Sequence, residues 1–407
     1  MRQYGLLGEK LSHSFSPLIH KFFYPDPYTL FEVEKENLDA FFKEGAFDGI
    51  NVTIPYKKAV IPYLGELSSA AQKLQNVNTI IKKADGTLFG DNTDYFGLLK
   101  MAEKVNISFK DKKVLVLGSG GAGQTAHFAA KSEGAREVLL VSRKGEVNYE
   151  NIKEHQDADI IVNATPVGMY PNCGTSPVNL EIFKNLKGVL DLIYNPSKTA
   201  LILKAEKMGI PYANGLYMLI FQAMRAAEIF SGNSFSSDLA DKIAKKIEGE
   251  TKNILLIGMP GCGKSSVGSA LSKMLSKEFI DTDDEIFRLT GKTPAKIIKE
   301  EGEDAFRRLE TSVFEKVSKE SGKIISAGGG IVTREENFPL AKQNSTCIWL
   351  LRDLSLLDTT NRPLSEKDGV LKLYQQRKNL YEKFSDLKTE CIGIKETAKK
   401  IKEMLGL

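Results

Sequence analysis

Short apolar runs alternate with amphipathic helical patterns through much of the chain. In its middle part, buried-type runs span residues 113–117, 137–141, 158–162 and 188–192, with helical or turn segments between them. This alternation predicts a doubly wound parallel sheet with helices on both faces. Ligands of such sheets bind at the carboxyl ends of the strands. The residues that follow each run are therefore the first candidates for chemistry.

Near residue 50 the pattern changes to a period of two. Ile50, Val52 and Ile54 alternate with Asn51 and Thr53, so the polar pair is predicted on one strand face. Pro55 ends this predicted strand. We expect Asn51 and Thr53 to line a pocket near the strand end.

Two ionisable side chains lie close to this predicted pocket. Lys57 follows the strand end, and Asp94 ends the run Gly90-Asp-Asn-Thr-Asp94 ahead of a predicted helix. Taken alone, Lys57 is a solvated surface charge and Asp94 a helix N-cap. If the two meet, they form a base/acid pair whose pKa values influence each other.

Hydroxyl side chains precede the first predicted helix. Ser12, Ser14 and Ser16 come just before Pro17, which suits a first helical turn. Such hydroxyls either hold an anion, for example a carboxylate, or cap the helix. From this loop alone capping is favoured.

A glycine-rich loop follows the apolar run 113–117. Gly118-Ser-Gly-Gly-Ala-Gly123 has the spacing G-x-G-x-x-G between a predicted strand and a predicted helix, which indicates dinucleotide binding. After the next run come Ser142, Arg143 and Lys144, where an NAD site would carry an acid. These cations favour a 2′-phosphate and hence NADP, the alternative being two solvated surface charges.

The later turns of this region and a long apolar helix add further candidates. The Pro-rich turns at Thr165 and Tyr194 are predicted to face the cofactor crevice. Gly215 opens the helix, and Gln222 is a polar residue within it, which a hydrogen bond to nearby backbone would also explain. The charged residues 241–252 predict a helix end followed by a linker.

A second nucleotide motif begins after residue 250. Gly258-Met-Pro-Gly-Cys-Gly-Lys-Ser265 follows an apolar run and precedes a helical pattern with Val267 and Leu271 on one face. Its spacing fits the phosphate loop G-x-x-x-x-G-K-[ST]. Lys264 is expected to neutralise the β- and γ-phosphates and Ser265 to hold Mg²⁺, and Cys262 is interpreted as a small filler.

The residues after this loop supply acids, arginines and glycines. Asp281 and Asp283 are predicted to share a strand face, one suited to Mg²⁺ ligation and the other to accepting a hydroxyl proton. Arg307 and Glu310 are spaced i,i+3 on a predicted helix, which a salt-bridged surface helix would also explain. The remaining candidates follow a strand, a polar loop and a helix, and are Gly328, Gly329, Gly330, Arg362 and Arg377.

Composition excludes several other classes. The 407 residues carry a net charge of +4 with interspersed signs, so neither nucleic acid nor a membrane surface is implied. The four cysteines lack C-x-x-C spacing, which argues against a disulfide framework and a zinc site. No run reaches about 18 apolar residues and no signal region opens the chain, so we expect a cytoplasmic protein.

Residues 1 to about 245 resemble shikimate dehydrogenase, the NADP-dependent enzyme of the aromatic amino-acid pathway. The resemblance rests on the motifs above together with Ser14-Phe-Ser-Pro17, Asn51-Val-Thr-Ile-Pro-Tyr-Lys57 and Asn163-Ala-Thr-Pro166. It implies Lys57 with Asp94 as the catalytic pair. The implied substrate-binding residues are Ser14, Ser16, Asn51, Thr53, Asn78, Tyr194 and Gln222. The implied NADP(H) site comprises Gly118, Gly120, Gly121, Ala122, Gly123, Ser142, Arg143, Lys144, Thr165 and Gly215.

Residues 253 to the end resemble shikimate kinase, through the phosphate loop, Phe-x-Asp-x-Asp, Phe-Arg-Arg-x-Glu, Gly-Gly-Gly and Arg-Pro-Leu in that order. The resemblance implies Lys264, Asp283 and Arg362 as catalytic residues and Mg²⁺ held by Ser265 and Asp281. It implies shikimate binding by Asp283, Arg307, Gly328, Gly329, Gly330 and Arg377. The implied ATP site comprises Gly258, Gly261, Cys262, Gly263, Lys264, Ser265 and Ser266.

One position and two segments depart from the family patterns. Tyr217 stands where the dehydrogenases usually have glycine, and it either narrows the pocket or alters closure between the lobes. The segment 354–363 has Arg362 as its single arginine, where the kinases often have another upstream. The tail from Thr389 lacks the usual arginine near the adenine.

The two resemblances together predict a fused enzyme. The expected fold class is α/β, with a two-lobed dehydrogenase joined to a P-loop kinase. The expected boundaries are a substrate lobe at 1–95 and 215–248, a Rossmann NADP lobe at 96–214, a linker at 249–252 and the kinase at 253–407. The expected reactions are reduction of 3-dehydroshikimate to shikimate and ATP-dependent formation of shikimate 3-phosphate.

Two alternatives and the expected partners complete the prediction. One alternative makes the P-loop part a non-catalytic nucleotide-binding module, and the other widens the dehydrogenase substrate to quinate. The expected partners are 3-dehydroshikimate and shikimate, without nucleic acid or membrane. The chain is expected to be a monomer or a homodimer.

Overall fold

Three separate β-sheets form the framework of the computed structural model, which describes residues 2–11, 14–357 and 369–407. Helices flank each sheet, so the predicted α/β class is confirmed. Short 3-10 helices lie at Lys35–Asn37, Ile61–Tyr63, Ile152–His155, Leu180–Ile182, Ile331–Thr333 and Leu354–Leu356. None of the helices in the described part of the chain is long and apolar enough to cross a membrane.

The first sheet is mixed. Its strands are β1 (Tyr4–Gly8), β2 (Tyr28–Glu32), β3 (Gly49–Val52), β4 (Glu66–Leu67), β5 (Thr79–Lys82) and β6 (Leu88–Asp91). They lie in the order β2-β1-β3-β5-β6-β4, and β5 pairs antiparallel with both β3 and β6. Its helices are α1 (Ser16–His20), α2 (Leu38–Glu44), α3 (Ser69–Leu74) and α4 (Thr93–Lys104).

The alternation predicted near residue 50 holds for only part of its length. Ile50 and Val52 are buried in the core, but Ile54 is 78% exposed. The strand ends at Val52 because the chain then turns, with the Tyr56 N–H donating to Thr53 O at 2.9 Å. Ile54 is therefore a surface residue, contrary to the sequence pattern.

The second sheet is fully parallel. Its strands are β7 (Lys113–Leu117), β8 (Glu137–Val141), β9 (Ile160–Asn163), β10 (Gly188–Asp191) and β11 (Tyr212–Ala213), in the order β8-β7-β9-β10-β11. Helices α5 (Gly121–Ser132) and α6 (Ala200–Lys207) connect them. The strand order reverses between β7 and β9, and a ligand crevice is expected at that switch point.

Two further helices, α7 (Leu216–Ser231) and α8 (Ser237–Thr251), precede the third sheet. Helix α8 extends through most of the segment 249–252 that the sequence predicts as a linker. Its apolar residues Ala240, Ile243, Ala244 and Ile247 are buried, so the helical pattern continues to its last turn.

The third sheet is also parallel. Its strands are β12 (Asn253–Ile257), β13 (Phe279–Asp281), β14 (Ile324–Ser326), β15 (Ser345–Leu351) and β16 (Leu387–Glu390), in the order β13-β14-β12-β15-β16. Its helices are α9 (Lys264–Leu275), α10 (Thr282–Thr290), α11 (Pro294–Glu301), α12 (Glu303–Ser318), α13 (Asn337–Gln343), α14 (Val370–Phe384) and α15 (Ile394–Leu405). Val267 and Leu271 of α9 are fully buried, as their spacing predicts.

The chain divides into two compact units. The first comprises Met1–Val167, Ser176–Tyr194 and Lys204–Lys245, and the second Gly168–Thr175, Asn195–Leu203 and Lys246–Leu407. The first unit contains the first two sheets and the second unit contains the third sheet. Each unit therefore has its own candidate site.

Candidate active sites

A lysine–aspartate ion pair lies beside the first sheet. Lys57 is in the turn after β3, and Asp94 is in the first turn of α4, where Asn92 rather than Asp94 is the N-cap. Lys57 Nζ lies 2.5 Å from Asp94 Oδ2, and the side chains are 24% and 18% exposed. An ammonium group has three donors, so Lys57 keeps N–H groups for a ligand.

Asn78 fixes the orientation of Asp94. Its Nδ2 donates to Asp94 Oδ1 at 2.9 Å, while its Oδ1 accepts from the Thr93 N–H at 2.8 Å. Gln222 Oε1 lies 3.5 Å from the same Nδ2, and Gln222 Nε2 donates to Leu219 O at 2.8 Å. Gln222 therefore makes its backbone hydrogen bond and also reaches the ion-pair region.

Asn51 is equally well held. Its Oδ1 accepts from the Tyr28 hydroxyl at 2.8 Å, and its Nδ2 donates to Thr79 Oγ1 at 3.1 Å. The His20 ring stacks on Tyr28 with centroids 4.1 Å apart. Burial lowers the pKa of His20 to about 3, so this imidazole is neutral. Tyr28 and His20 were not singled out by the sequence motifs.

The serines of the first loop make a local contact. Ser14 Oγ accepts from the Ser16 N–H at 3.1 Å. The N-cap of α1 is Phe15 and no side chain caps the helix, so the capping interpretation is wrong for Ser14 and Ser16, while Ser12 lies outside the described residues. Between Ser14 and Ser16, the Phe15 ring meets Tyr194 edge-on at 6.0 Å. Burial raises the pKa of Tyr194, so its phenol remains a hydrogen-bond donor.

The predicted substrate residues fall into two groups. Thr53 is the first residue past β3, and its N–H donates to Leu7 O at 2.9 Å. Hydrogen bonds connect Lys57, Asp94, Asn78, Gln222 and Asn51. No direct hydrogen bond within the described residues joins that group to Ser14, Ser16, Thr53 or Tyr194.

The glycine loop after β7 has the geometry that a pyrophosphate requires. Gly118 has φ +104°, and a Cβ on Gly123 would lie 1.9 Å from Gly118 O. Gly120 caps α5 without a side chain, and a Cβ on it would meet nothing within 4 Å. Gly121 and Ala122 begin α5, whose first N–H groups have no partner within the helix. The loop therefore fits a dinucleotide phosphate.

The predicted cation pair lies next to this loop. Ser142, Arg143 and Lys144 directly follow β8, whose last residue Val141 pairs with Leu117 at the end of β7. Arg143 and Lys144 are exposed. This position suits a phosphate on the adenosine ribose.

Thr165 is held at the end of β9. Its hydroxyl donates to Asn163 Oδ1 at 2.7 Å, and Asn163 Nδ2 donates to Asp191 Oδ1 at 3.0 Å. Gly215 precedes α7, and a Cβ on it would lie 2.1 Å from Leu192 O. Thr165 therefore lies at the switch point, and the glycine permits close backbone approach there.

The phosphate loop between β12 and α9 depends on glycine. Gly258, Gly261 and Gly263 have φ values of +147°, +81° and +100°. Cys262 is fully buried, as expected of a small filler, and Ser266 is exposed in the first turn of α9. The backbone can therefore converge on phosphate oxygens without side-chain interference.

Lys264 lies within the loop it serves. It is 8% exposed, and its Nζ donates to Gly258 O at 3.1 Å and Met259 O at 3.0 Å. These backbone contacts hold the ammonium group at the mouth of the loop.

Two oxygen side chains are positioned for a divalent cation. Ser265 Oγ donates to Asp281 Oδ2 at 2.6 Å, and Asp281 Oδ1 accepts from the Asp283 N–H at 3.0 Å. Asp281 ends β13 and is the N-cap of α10, and Asp283 lies in the first turn of that helix, so the prediction that the two share a strand face is wrong. The described residues contain no group of three or more His, Cys, Asp or Glu suited to a metal ion. Hard oxygen donors fit Mg²⁺, with nucleotide oxygens and water completing its shell.

Arg307 and Glu310 form a buried ion pair, so the surface-helix interpretation is wrong. They are 6% and 1% exposed, and Arg307 NH1 lies 2.7 Å from Glu310 Oε2. Glu303 adds a second contact at 3.1 Å. Burial disfavours the guanidinium charge, but Glu310 and Glu303 outweigh it, and the pKa of Arg307 lies above its ordinary value.

Asp283 and Glu310 present oxygen atoms without partners. Asp283 Oδ1 and Glu310 Oε1 are both buried and make no hydrogen bond in the described residues. A Cβ on Gly328 would lie 2.2 Å from Glu310 Oε1 and 3.3 Å from Asp283 Oδ1, so the two atoms converge. Burial, with Asp281 and Glu310 nearby, raises the pKa of Asp283 to about 6. A carboxylate with this pKa suits proton acceptance near neutral pH.

The three glycines after β14 surround the same space. A Cβ on Gly330 would lie 2.0 Å from Arg307 NH1. Gly329 O accepts from Arg377 NH1 at 3.2 Å and from the Tyr381 hydroxyl at 2.5 Å. Both arginines therefore meet the glycine backbone, where their guanidinium groups can bind a carboxylate.

A cavity of about 810 Å³ contains most of the predicted kinase residues. They are Gly261, Gly263, Lys264, Ser265, Ser266, Asp281, Asp283, Arg307, Gly328, Gly329, Gly330 and Arg377. Arg362 lies outside the described residues. Arg352, Phe306 and Glu310 also line the cavity without a predicted role, and Arg352 is an arginine upstream of Arg362.

Tyr217 contacts two charged residues of neighbouring helices. Its hydroxyl donates to Asp241 Oδ1 at 2.7 Å, and Lys104 Nζ lies 5.2 Å from its ring centroid. Lys104 also pairs with Asp241 at 2.7 Å. Tyr217 thus connects α7 with α4 and α8.

The folds and sites define the class of protein: a dinucleotide-dependent oxidoreductase followed by a P-loop phosphotransferase. Residues 6–80 match the family model described as shikimate dehydrogenase substrate binding domain, and residues 260–405 match the one described as shikimate kinase. A shikimate dehydrogenase (NADP(+)) of Clostridium beijerinckii is 38% identical over 272 residues, which covers 62% of this chain and 100% of that protein. The chain belongs to the shikimate dehydrogenase family, with a shikimate kinase domain at its C-terminal side.

Solved structures agree with this assignment. A chorismate mutase/shikimate 5-dehydrogenase fusion protein from Clostridium acetobutylicum is 38% identical, with a TM-score of 0.57, over 61% of this chain and 97% of that chain. Shikimate 5-dehydrogenase from Thermus thermophilus, in complex with NADP(H) and shikimate, is 30% identical with a TM-score of 0.55. That match covers 60% of this chain and 99% of the other. Both matches concern the dehydrogenase part.

Proposed function

We propose that this chain catalyses two consecutive steps of the shikimate pathway. The first is the reversible NADPH-dependent reduction of 3-dehydroshikimate to shikimate, and the second is the ATP-dependent phosphorylation of shikimate to shikimate 3-phosphate. The observation that supports the proposal is that one chain holds two separate sets of candidate reacting groups. One is the Lys57–Asp94 pair, and the other is the cavity that joins Asp283 and two buried arginines to a phosphate loop.

In the reduction, Lys57 is the proton donor. Its ammonium group gives a proton to the ketone oxygen as the carbonyl carbon accepts a hydride, and it takes that proton back in the reverse direction. NADPH supplies the hydride when bound at Gly118–Gly123, Ser142–Lys144, Thr165 and Gly215. Asp94 holds Lys57 in place. The substrate hydroxyls and carboxylate would be bound by Asn51, Thr53, Asn78, Gln222, Tyr194, Ser14 and Ser16.

In the phosphorylation, Asp283 is the proton acceptor. Its carboxylate takes the proton of the attacking hydroxyl, while Arg307 and Arg377 bind the substrate carboxylate as a planar clamp. Mg-ATP supplies the phosphoryl group when bound, with the metal at Ser265 and Asp281. Lys264 and Arg362 stabilise the negative charge of the transferred group.

The domain boundaries and setting belong to the same proposal. We assign the substrate lobe to 1–95 and 215–248, the NADP lobe to 96–214 and the kinase to 253–407. The proposed setting is cytoplasmic, as a monomer or homodimer, without nucleic-acid or membrane partners. Two separate sheets in the first unit and a third in the second support this division.

A single reaction mixture tests both steps. The purified chain is given 3-dehydroshikimate, NADPH and Mg-ATP, and both NADPH oxidation and shikimate-dependent ADP release are followed. Lys57→Ala should abolish NADPH oxidation but retain the release of ADP from ATP when shikimate is added, with exposed Lys58→Ala as its matched control. Lys264→Ala should do the opposite, with exposed Lys273→Ala as its control.

Each outcome separates the alternatives. ATP binding without shikimate-dependent ADP release would make the P-loop part a nucleotide-binding module. Reduction at the wild-type rate by Lys57→Ala would remove the assigned role of this lysine. Comparing shikimate with quinate at equal concentration decides the breadth of the dehydrogenase.

A further inference from the structure

The start of α5 offers unpaired backbone donors to open space. Its first N–H groups have no helical partner, and its N-cap Gly120 contributes no side chain. Apart from the adjoining backbone, no atom lies within 4 Å of the position that a Cβ on Gly120 would occupy. The side chain of Asn76, which belongs to the first sheet region, lies beside this opening.

Asn76 comes just before β5. Asn76 is 6% exposed, and its Oδ1 is buried with no hydrogen-bond partner in the described residues. Its Nδ2 faces the first residue of α5, 3.3 Å from the position of a Cβ on Gly121. A buried amide oxygen without a partner costs about 1–3 kcal/mol, so its presence calls for a ligand or a function.

Packing between the two lobes keeps Asn76 at this position. Asn76 O accepts from Asn92 Nδ2 at 3.0 Å. The Tyr95 hydroxyl of α4 lies 3.1 Å from Ser132 Oγ of α5, and Lys73 of α3 lies 5.9 Å from the centroid of the Phe128 ring. Helices on both sides of Asn76 thus contact α5.

We propose that Asn76 is a cofactor-binding residue that reaches the dinucleotide from the substrate lobe. Its Nδ2 donates a hydrogen bond to the pyrophosphate held by the first turn of α5. The riboses on either side of a pyrophosphate carry the hydroxyl donors that its Oδ1 lacks. This inference rests on the proposed dehydrogenase function, and it adds a residue outside the glycine loop.

The position of Asn76 gives this contact a consequence. Asn76 is separated only by Val77 from Asn78, which orients Asp94. A dinucleotide held by Asn76 therefore contacts the segment that also carries the catalytic network.

The test is the affinity of Asn76→Ala for NADPH, measured by fluorescence titration of the full chain. We expect the Kd to rise about tenfold, the effect of one hydrogen bond to a charged group. The KM for 3-dehydroshikimate at saturating NADPH should stay within about twofold. The ligand-free variant should melt at or above the wild-type temperature, because a buried unpaired oxygen has been removed.

Further probes localise the contact. NADH should lose affinity by the same factor as NADPH in Asn76→Ala, since both carry the pyrophosphate, whereas Arg143→Ala should weaken NADPH selectively. Asn76→Asp, which places a negative charge beside the phosphates, should weaken both more strongly. Asn233→Ala, an exposed asparagine elsewhere, is the matched control.

The results distinguish failure of the inference from failure of the function. Unchanged NADPH affinity in Asn76→Ala, with normal wild-type binding, overturns the inference alone. A lower melting temperature of the ligand-free variant with unchanged affinity overturns it in favour of a structural role. Wild-type protein that binds no NADPH overturns the proposed dehydrogenase and the inference together.

Discussion

The two candidate active sites treat their buried polar groups in opposite ways. In the dehydrogenase site, Asn51 and Asn78 use both ends of their amides in hydrogen bonds to the protein. In the kinase site, Asp283 Oδ1 and Glu310 Oε1 are buried and find no partner among the described residues, and burial raises the pKa of Asp283 to about 6. The amides that orient the catalytic pair of the first site are therefore satisfied without a ligand. The kinase site, like Asn76 beside the glycine loop of the first unit, has buried acceptors that are unpaired in the described residues.

This difference predicts opposite effects of substitution on stability. Removing a satisfied buried amide leaves its partners unpaired, which costs about 1–3 kcal/mol per group. Removing an unsatisfied buried carboxylate relieves a cost that the folded protein carries for its function. Function should therefore be lost in both sites, with stability lost in one and gained in the other.

The largest effect is expected for Asp283→Asn. Phosphoryl transfer should fall by about 10²–10⁴-fold, because the proton acceptor is lost. The free energy of unfolding at pH 7 should rise by about 1 kcal/mol, since the neutral amide needs no buried charge. ADP release and chemical denaturation measure the two effects.

Asp284→Asn, on the exposed side of α10, is the matched control and should change neither quantity. A destabilised Asp283→Asn protein would contradict the comparison between the two sites. One that transfers phosphate normally would contradict the proposed role of Asp283.

Asn78→Ala should give the opposite stability change. Its loss leaves Asp94 Oδ1 and the Thr93 N–H without partners, so we expect destabilisation by about 2–3 kcal/mol. Reduction of 3-dehydroshikimate should fall about 10–100-fold because Asp94 is no longer oriented. Chemical denaturation of Asn78→Ala, with Asn233→Ala as the control, measures the loss of stability. NADPH oxidation measures the loss of activity. An Asn78→Ala protein as stable as wild type would contradict the predicted difference in stability effects between the two sites.

The raised pKa of Asp283 makes both kinase activity and stability depend on pH. Below about pH 6 the acceptor is protonated, so kcat/KM should fall about tenfold per pH unit. The folded state binds this proton at about pH 6 and the unfolded state only near its ordinary value of 3.8. The contribution of Asp283 to stability therefore increases as the pH falls from about 6 to 4 and decreases as the pH rises.

The stability difference between wild type and Asp283→Asn should accordingly narrow from pH 7 to pH 5. Denaturant titrations at the two pH values measure this difference. A constant difference would show that the pKa of Asp283 is the same in the folded and unfolded states.

Local patterns predicted the parts of the molecule that depend on local physics. Strands β7, β8 and β12 coincide with the apolar runs, and the glycine loops occupy the turns that follow β7 and β12. In these segments the side-chain period, the glycine φ values and the strand-to-helix order all depend on adjacent residues. Helix α8 continues to Thr251, beyond the predicted start of the linker at 249, because the many charged residues on its exposed face made its end look like a linker.

Contacts between distant segments could not be predicted in the same way. Arg307 and Glu310 have surface-helix spacing, and only the glycines after β14 show that this face is buried. Tyr28 belongs to no motif, and the polar run Asn76-Val-Asn-Thr-Ile80 gives Asn76 no role of its own. The contacts of both side chains are made with other elements. A lone Tyr on an edge strand gives no signal until its hydroxyl is seen against Asn51.

Tyr28→Phe should give the smallest effect on activity, and it tests one hydrogen bond of the Asn51 network. It removes one donor to Asn51 Oδ1 and keeps the ring that stacks on His20. Burial raises the pKa of Tyr28, so its hydroxyl keeps its proton and donates to Asn51. We expect the KM for 3-dehydroshikimate to rise about fivefold with little change in kcat, as for the loss of about 1 kcal/mol of positioning.

Tyr24→Phe is the control that separates positioning from packing. The Tyr24 hydroxyl contacts His20 Nδ1 at 2.6 Å and makes no hydrogen bond to Asn51 in the described residues, so its loss should leave the KM unchanged. Both variants should denature within about 1 kcal/mol of wild type. If Tyr24→Phe raised the KM as much as Tyr28→Phe, the aromatic cluster as a whole would set the pocket. In that case the packing of the aromatic rings, and not the hydrogen bond from Tyr28 to Asn51, would determine substrate affinity.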